Sequence, residues 1–277
     1  CAARRPRVLR LEGVSKTFFP GTPGEVRALR SVDLELATGS WTIVIGTNGS
    51  GKSTLQGAIA GVFTPDAGRL WIDDDEITRL PEHRRARWIG RVFQDPFAGS
   101  APSLTVAENL ALAERRGLRR GLRGLIRGSS RARWRAALSE IGLGLESRLD
   151  DPIGLLSGGQ RQAITLVMAS LARPKLLLLD EHTAALDPRS AELVIALTRR
   201  IIERDGLTAL MVTHSMQQAA TLGDRLIAMH RGRAWLDVQG AAKRVWRAER
   251  LHELFGEMRR EDRFDDATVG VVVPAYR

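Results

Sequence analysis

The chain has 277 residues, 43% of them hydrophobic, which suits one large globular domain or a core with a subdomain rather than a disordered or fibrous chain. No apolar run reaches the roughly 18 residues of a membrane helix, the basic start CAARRPRV has no apolar segment behind it, and a lone Cys1 cannot form an internal disulfide. The formal net charge is +10, and arginine carries the excess, because the 42 basic residues include only Lys16, Lys52, Lys175 and Lys243 as lysines.

Residues 8–18 (VLRLEGVSKTF) and 29–36 (LRSVDLEL) alternate apolar and polar side chains, as half-buried antiparallel strands do, with FPGTPG as the turn or loop between them. Residues 41–45 (WTIVI) read as a buried strand. It runs directly into Gly46-Thr47-Asn48-Gly49-Ser50-Gly51-Lys52-Ser53-Thr54, and a helix follows to about Gly61. Residues 69–72 and 89–93 read as further strands. From about Asp95 to Ala172 helical patterns replace strand patterns, over 106–113, 131–141 and 160–171. The core resumes at Lys175. Leu176 to Leu179 fit a strand buried on both faces, of the kind found inside an α/β sheet. Asp187-Pro188 opens a helix with a capping acid and a first-turn proline. Val194, Leu197 and Ile201 mark its buried face, and Gly206 marks its end. Residues 208–213 and 225–229 are two more buried strands, 240–262 read as helices, and the tail 264–277 is left unassigned. No internal repeat is present.

The expected fold is therefore α/β: a P-loop core on a mostly parallel sheet, an N-terminal antiparallel β subdomain and an inserted helical subdomain. The division is 1–94 with 173–239 for the core, 95–172 for the helical subdomain, and 240–277 for a C-terminal extension.

Gly46 to Ser53 fits the phosphate-binding loop G-x-x-x-x-G-K-[ST] with a strand before it and a helix after it. Glycines let the backbone wrap phosphate closely, and the helix start adds its positive dipole end. Lys52 would reach the β- and γ-phosphates, and Ser53 would ligate Mg²⁺. Asp180, at the end of the leucine strand, supplies the second half of a nucleotide site and would hold Mg²⁺ through water. Glu181 is placed to orient or deprotonate a water attacking the γ-phosphate. Two acids after an apolar strand also serve to cap a following helix; pairing with the loop favours the nucleotide site.

With Leu156-Ser157-Gly158-Gly159-Gln160 ahead of the Asp180 strand, the chain resembles an ATP-binding-cassette (ABC) ATPase over nearly its whole length. The resemblance implies ATP and Mg²⁺, with Gly46 to Thr54 on the phosphates and Ser157 to Gln160 as the signature. It places Phe18 where an aromatic ring stacks on adenine, with Phe19 as its rival. Gln94 would contact Mg²⁺ or the attacking water, His214 the γ-phosphate, and Asp187 the dimer interface while also capping its helix. Two copies, or two similar subunits, would pair head to tail, so that ATP lies between the Lys52 side of one and the Ser157 side of the other. The partners implied are transmembrane permease subunits and an extracytoplasmic solute-binding protein. The location implied is the cytoplasmic face of the cell membrane, held peripherally. The activity implied is ATP hydrolysis coupled to transport, as an importer of a small solute such as an amino acid.

Departures from the family pattern are His182 where Pro is usual, Ala163 where Arg is usual, and Ser40-Trp41 where Gly-Glu is frequent. The rival function is a cytosolic ABC ATPase acting on nucleic acid or ribosomes, to which the arginine excess points. Only about a hundred residues separate loop and signature, without sustained heptads, and the chain holds one cassette, so nucleic acid is not expected as a partner. A P-loop kinase is set aside by LSGGQ and by the position of His214. Residues 114–135 hold nine arginines and one acid. They are either a solvated loop or a segment that orders against a permease or anionic headgroups.

Overall fold

The computed structural model describes residues 6–117 and 128–257. Cys1, residues 118–127 of the arginine-rich segment and the tail 264–277 lie outside the described residues. The chain opens with β1 (Arg7–Phe18), β2 (Val26–Ala37), β3 (Trp41–Gly46), α1 (Lys52–Ala60), β4 (Ala67–Ile72), β5 (Asp75–Glu76), α2 (Glu82–Arg85) and β6 (Ile89–Val92). It continues through α3 (Val106–Glu114), α4 (Gly128–Ser139), α5 (Gly158–Leu171) and β7 (Leu176–Asp180). It closes with α6 (Pro188–Asp205), β8 (Thr208–Val212), α7 (Met216–Thr221), β9 (Arg225–His230), β10 (Arg233–Gln239) and α8 (Ala241–Arg244). Residues 248–257 are again helical.

Side-chain alternation at period two decides how these elements layer. The larger sheet has the order β10-β9-β3-β8-β7-β6, parallel throughout except for the β9–β10 hairpin. Leu177 and Leu179 of β7, with Ile43 and Ile45 of β3 and Ala209 and Met211 of β8, join one apolar cluster with α3, α5 and α6. Their neighbours Leu176, Leu178, Val44, Leu210 and Val212 join a second cluster on the opposite face, with α1 and the antiparallel sheet β2-β1-β4-β5. A leucine run buried on both faces is what this double covering requires. Each such leucine contributes about 2 kcal/mol by leaving water.

The helical region is packed onto the core rather than tethered to it. Trp134 of α4 and Leu110 of α3 are fully buried in the same cluster as the sheet residues. Thr105 opens α3 with a capping box: its hydroxyl accepts from Glu108 N at 3.2 Å, and Glu108 Oε2 accepts from Thr105 N at 2.8 Å. Among the described residues, no helix is long and apolar enough to cross a membrane.

Two short 3-10 turns, at Leu145–Ser147 and Ile153–Leu155, and four further elements add to the sequence expectation: β5, α2, α7 and β10. Of these four, the first three have two, four and six residues, too short for periodicity to register. β10 is a largely exposed edge strand, so its apolar alternation is weak. The C-terminal part is tied back by Lys243, whose amine donates to Gly223 O at 2.8 Å, and by Leu251 and Phe255, which are buried one turn apart.

Candidate active site

The loop between β3 and α1 is held from behind by close backbone approach. Gly51, just before α1, has φ 101, and a Cβ there would stand 2.4 Å from Ala28 O. At Gly46 a Cβ would stand 2.5 Å from Met229 O. Only glycine fits such contacts. The tip of the β9–β10 hairpin braces the loop as well, because Gly232 N donates to Ser50 O at 3.0 Å. Ser50 is buried, Thr47 half-buried, and Asn48, Gly49 and Ser53 are exposed, while Thr54 sits half-buried in the first turn. The first N–H groups of α1 have no partner within the helix, so this end offers the donors that an anion requires.

Lys52 lies 5% exposed, and its amine donates to Gly46 O and Thr47 O, both at 2.9 Å. Burial pushes its pKa down, while Glu181 and Asp180 hold it up. The loop lysine and the two acids at the end of β7 therefore share one electrostatic neighbourhood. Asp180 is shifted upward, first by burial and then by Glu181, against Arg91, Lys52 and His214. Gln56 of α1 fixes the strand end that carries it, donating from Nε2 to Leu179 O at 2.9 Å.

Glu181 adopts φ 43, a left-handed conformation that costs a side-chain-bearing residue about 1 kcal/mol or more. Its N–H donates to Val212 O at 3.0 Å. Its Oε1 lies 2.6 Å from Nε2 of His214, the carboxylate nearly buried and the imidazole half exposed. The His214 loop is locked in turn. Thr213 Oγ1 donates to Gln218 Oε1 at 2.7 Å, and Gln218 Nε2 donates to Thr183 Oγ1 at 3.1 Å. Beside Glu181, the His182 ring is buried, and burial alone pushes its pKa down to about 4.

Lys52, Asp180, Glu181 and His214 thus converge. Gln94 follows β6 by two residues and is exposed; Phe93 O beside it accepts from Gln162 Nε2 of α5 at 3.0 Å. Phe18 ends β1 with its ring edge-on to Phe63, centroids 5.4 Å apart, and Phe63 covers Gly57 of α1. Phe19 is 70% exposed.

The signature residues direct their bonds elsewhere. Ser157 caps α5 in a reciprocal box, accepting from Gln160 N at 3.3 Å and donating its own N–H to Gln160 Oε1 at 3.2 Å. Gly158 is exposed, and Gly159 is pressed onto Ser190, whose Oγ would be 2.6 Å from a Cβ. Ser190 N donates to Asp187 Oδ1 at 3.0 Å, so Asp187 caps α6, and its carboxyl is held low by those Ser190 bonds. Ser157 and Asp187 spend these bonds on their own helix starts.

Sequence reasoning overlooked Gln56, Gln162, Thr183, Gln218 and Gly232. Their common signal is a polar residue inside an otherwise apolar stretch, or a glycine at a hairpin tip.

Ser53, Asp180 and Gln94 offer a hydroxyl, a carboxylate and an amide oxygen, the hard donors that suit Mg²⁺. Among the described residues no group of three or more His, Cys, Asp or Glu forms a cage for a metal. The donor set fits a cation shared with phosphate oxygens, and the upward shift of Asp180 is what a nearby cation would relieve.

The family profile described as ABC transporter matches residues 29–184. The chain is 41% identical over 249 residues to the "Tyrosine transport ATP-binding protein" of Clostridioides difficile, covering 90% of this chain and 98% of that one. It is 37% identical over 223 residues to the "Lipoprotein-releasing system ATP-binding protein LolD 1" of Caulobacter vibrioides, covering 79% and 91%. The dimeric post-hydrolysis structure of the ATP-binding cassette MJ0796 with ADP and Pi superposes with a TM-score of 0.69 at 30% identity, covering 83% of this chain and 98% of that chain. With the phosphate loop, the paired acids and the histidine at one rim of the sheet, the chain belongs to the ABC transporter family and is an ATP-binding-cassette ATPase.

Proposed function

We propose that this chain is the ATP-hydrolysing subunit of a membrane importer for a small solute, with an amino acid as the solute class. The observation that carries the catalytic half is the 2.6 Å pairing of Glu181 with His214 beside the Lys52 loop. In this reading Gly46 to Thr54 and Lys52 bind the triphosphate, and Phe18 stacks on adenine. Glu181 takes the proton of the attacking water, and His214 orients that carboxylate and meets the γ-phosphate. Ser53, Asp180 and Gln94 would hold Mg²⁺, which when bound neutralises phosphate charge. Most of the rate gain comes from positioning and electrostatics around the phosphoryl group.

Among the described residues, Ser157 and Gln160 bond each other, and the groups that face Lys52 and Asp180 come from elsewhere, which supports a head-to-tail pair in which each copy lends its signature to the other's nucleotide. Asp187 then stands at the shared face. ATP joins the two copies, and hydrolysis releases them. That cycle would drive permease subunits at the cytoplasmic membrane face, fed by an extracytoplasmic solute-binding protein. The identity to a protein named for tyrosine transport supports the solute class.

Glu181→Gln should shift to a dimer on size exclusion with ATP, and adding Ser157→Arg should return it to monomer while fluorescent ATP still binds. A dimer that persists in the double variant would overturn the head-to-tail reading. Tracer uptake into vesicles carrying the permease, with tyrosine and with an aliphatic amino acid, tests the solute.

A further inference from the structure

Nothing in the hydrolysis described above uses His182, yet it adjoins Glu181 and is only 1% exposed. Its Nε2 lies 2.9 Å from Thr198 Oγ1 in the middle of α6. The Thr198 hydroxyl hydrogen is already spent on Val194 O at 2.8 Å. An oxygen whose only hydrogen is committed can accept but not donate. Nε2 of His182 therefore carries the hydrogen, and Nδ1 presents a bare lone pair. That Nδ1 is buried and has no hydrogen-bond partner. Such an orphan costs stability, and a leucine here would avoid the cost.

The neighbours give the bond its purpose. Three consecutive residues are tied to three different elements. Glu181 N–H is bound to Val212 O of β8, His182 to Thr198 of α6, and Thr183 to Gln218 of α7. Glu181 itself holds a left-handed backbone, which persists only where its surroundings over-determine it. The tie through His182 is buried, whereas the one through Thr183 is only partly so.

We propose that His182 is a positioning residue: its Nε2–H bond to Thr198 anchors the turn at Glu181 to α6 and so fixes the Glu181 carboxylate against His214. The proposal rests on Glu181 acting as the base for the attacking water. His182 touches no reacting atom; it acts through the backbone it shares with Glu181. Because Asp187 caps α6, the same bond ties the base to the helix that leaves the proposed dimer face.

Steady-state ATP turnover and fluorescent-ATP affinity on full-length protein test this with five variants. Thr198→Val and His182→Leu should each lower kcat about ten-fold with KM and nucleotide affinity unchanged. Thr198→Ser and His182→Gln keep an acceptor and a donor at the same reach and should retain most of the activity. The melting temperature of His182→Leu should not fall, because the substitution also removes the orphaned Nδ1. The ¹⁵N spectrum of histidine-labelled protein should show one solvent-protected Nε2–H tautomer that is altered in Thr198→Val. Wild-type kcat in both Thr198→Val and His182→Leu, with Glu181→Gln inactive, would overturn the positioning role alone. Full turnover in Glu181→Gln would overturn the base assignment and the positioning role with it. Should His182→Leu not fold, the Thr198→Val and Thr198→Ser pair decides: equal kcat in the two overturns the proposal.

Discussion

Glu181 Oε1 and His214 Nε2 are 2.6 Å apart although 33 positions separate the residues in the chain. Sheet register explains the meeting. β7 and β8 run parallel with Asp180 opposite Val212, so the residues that leave the two strand ends emerge side by side. The pair should behave as one unit. Glu181→Gln should slow phosphate release by about 10²–10⁴-fold while ATP binding persists. The double variant with His214→Ala should be little slower than the worse single variant, because groups that act together are not additive. Two losses that multiply in a phosphate-release assay would show that the residues work separately.

Phe18 and Phe19 are adjacent but differently supported. Phe63 backs the Phe18 ring, whereas Phe19 projects into solvent at φ 52. A backed ring is a pre-organised stacking surface. Phe18→Ala should weaken fluorescent-ATP binding about ten-fold, since one base stack is worth roughly 1–3 kcal/mol. Phe19→Ala should leave the affinity unchanged, and a titration giving the reverse order would reassign the adenine contact to Phe19.

Arg85 is 1% exposed, and its guanidinium donates to Ala58 O, Ile59 O, Leu80 O and Thr78 O. Burial pushes its pKa down to about 10, so it stays charged at neutral pH. It closes the carboxyl end of α1, where a cation is favoured by the helix dipole. Arg85→Met would leave several buried carbonyls unpaired. It should lower unfolding free energy by about 3 kcal/mol in urea titration.

Gly51→Ala would put a Cβ 2.4 Å from Ala28 O at φ 101. The loop must move or the helix start must shift. ATP affinity should fall at least about ten-fold by isothermal calorimetry, a cost of the size that strained backbone carries. Binding equal to that of the parent chain would mean that the loop is softer than its packing implies.

Much of this arrangement was legible in the residues. The four leucines of β7 announced a strand covered on both faces, and Gly46 to Ser53 announced a phosphate loop, because each pattern is local and each has few physical readings. The His182–Thr198 bond was not legible. Thr198 lies on the buried face of α6, where sequence alone reads a small residue filling space. The hairpin tip at Gly232 was equally silent, since its service to Ser50 depends on β9 lying beside β3. Those features live in pairings between distant segments, and periodicity carries no record of them.

One contact has a mechanical reading. Gly159 and Ser190 touch so closely that the openings of α5 and α6 form a single wedge. Neither helix can slide along the other without forcing that seam apart. Whatever displaces the start of α5 is therefore felt at the start of α6, the helix whose Thr198 bonds the His182 beside Glu181.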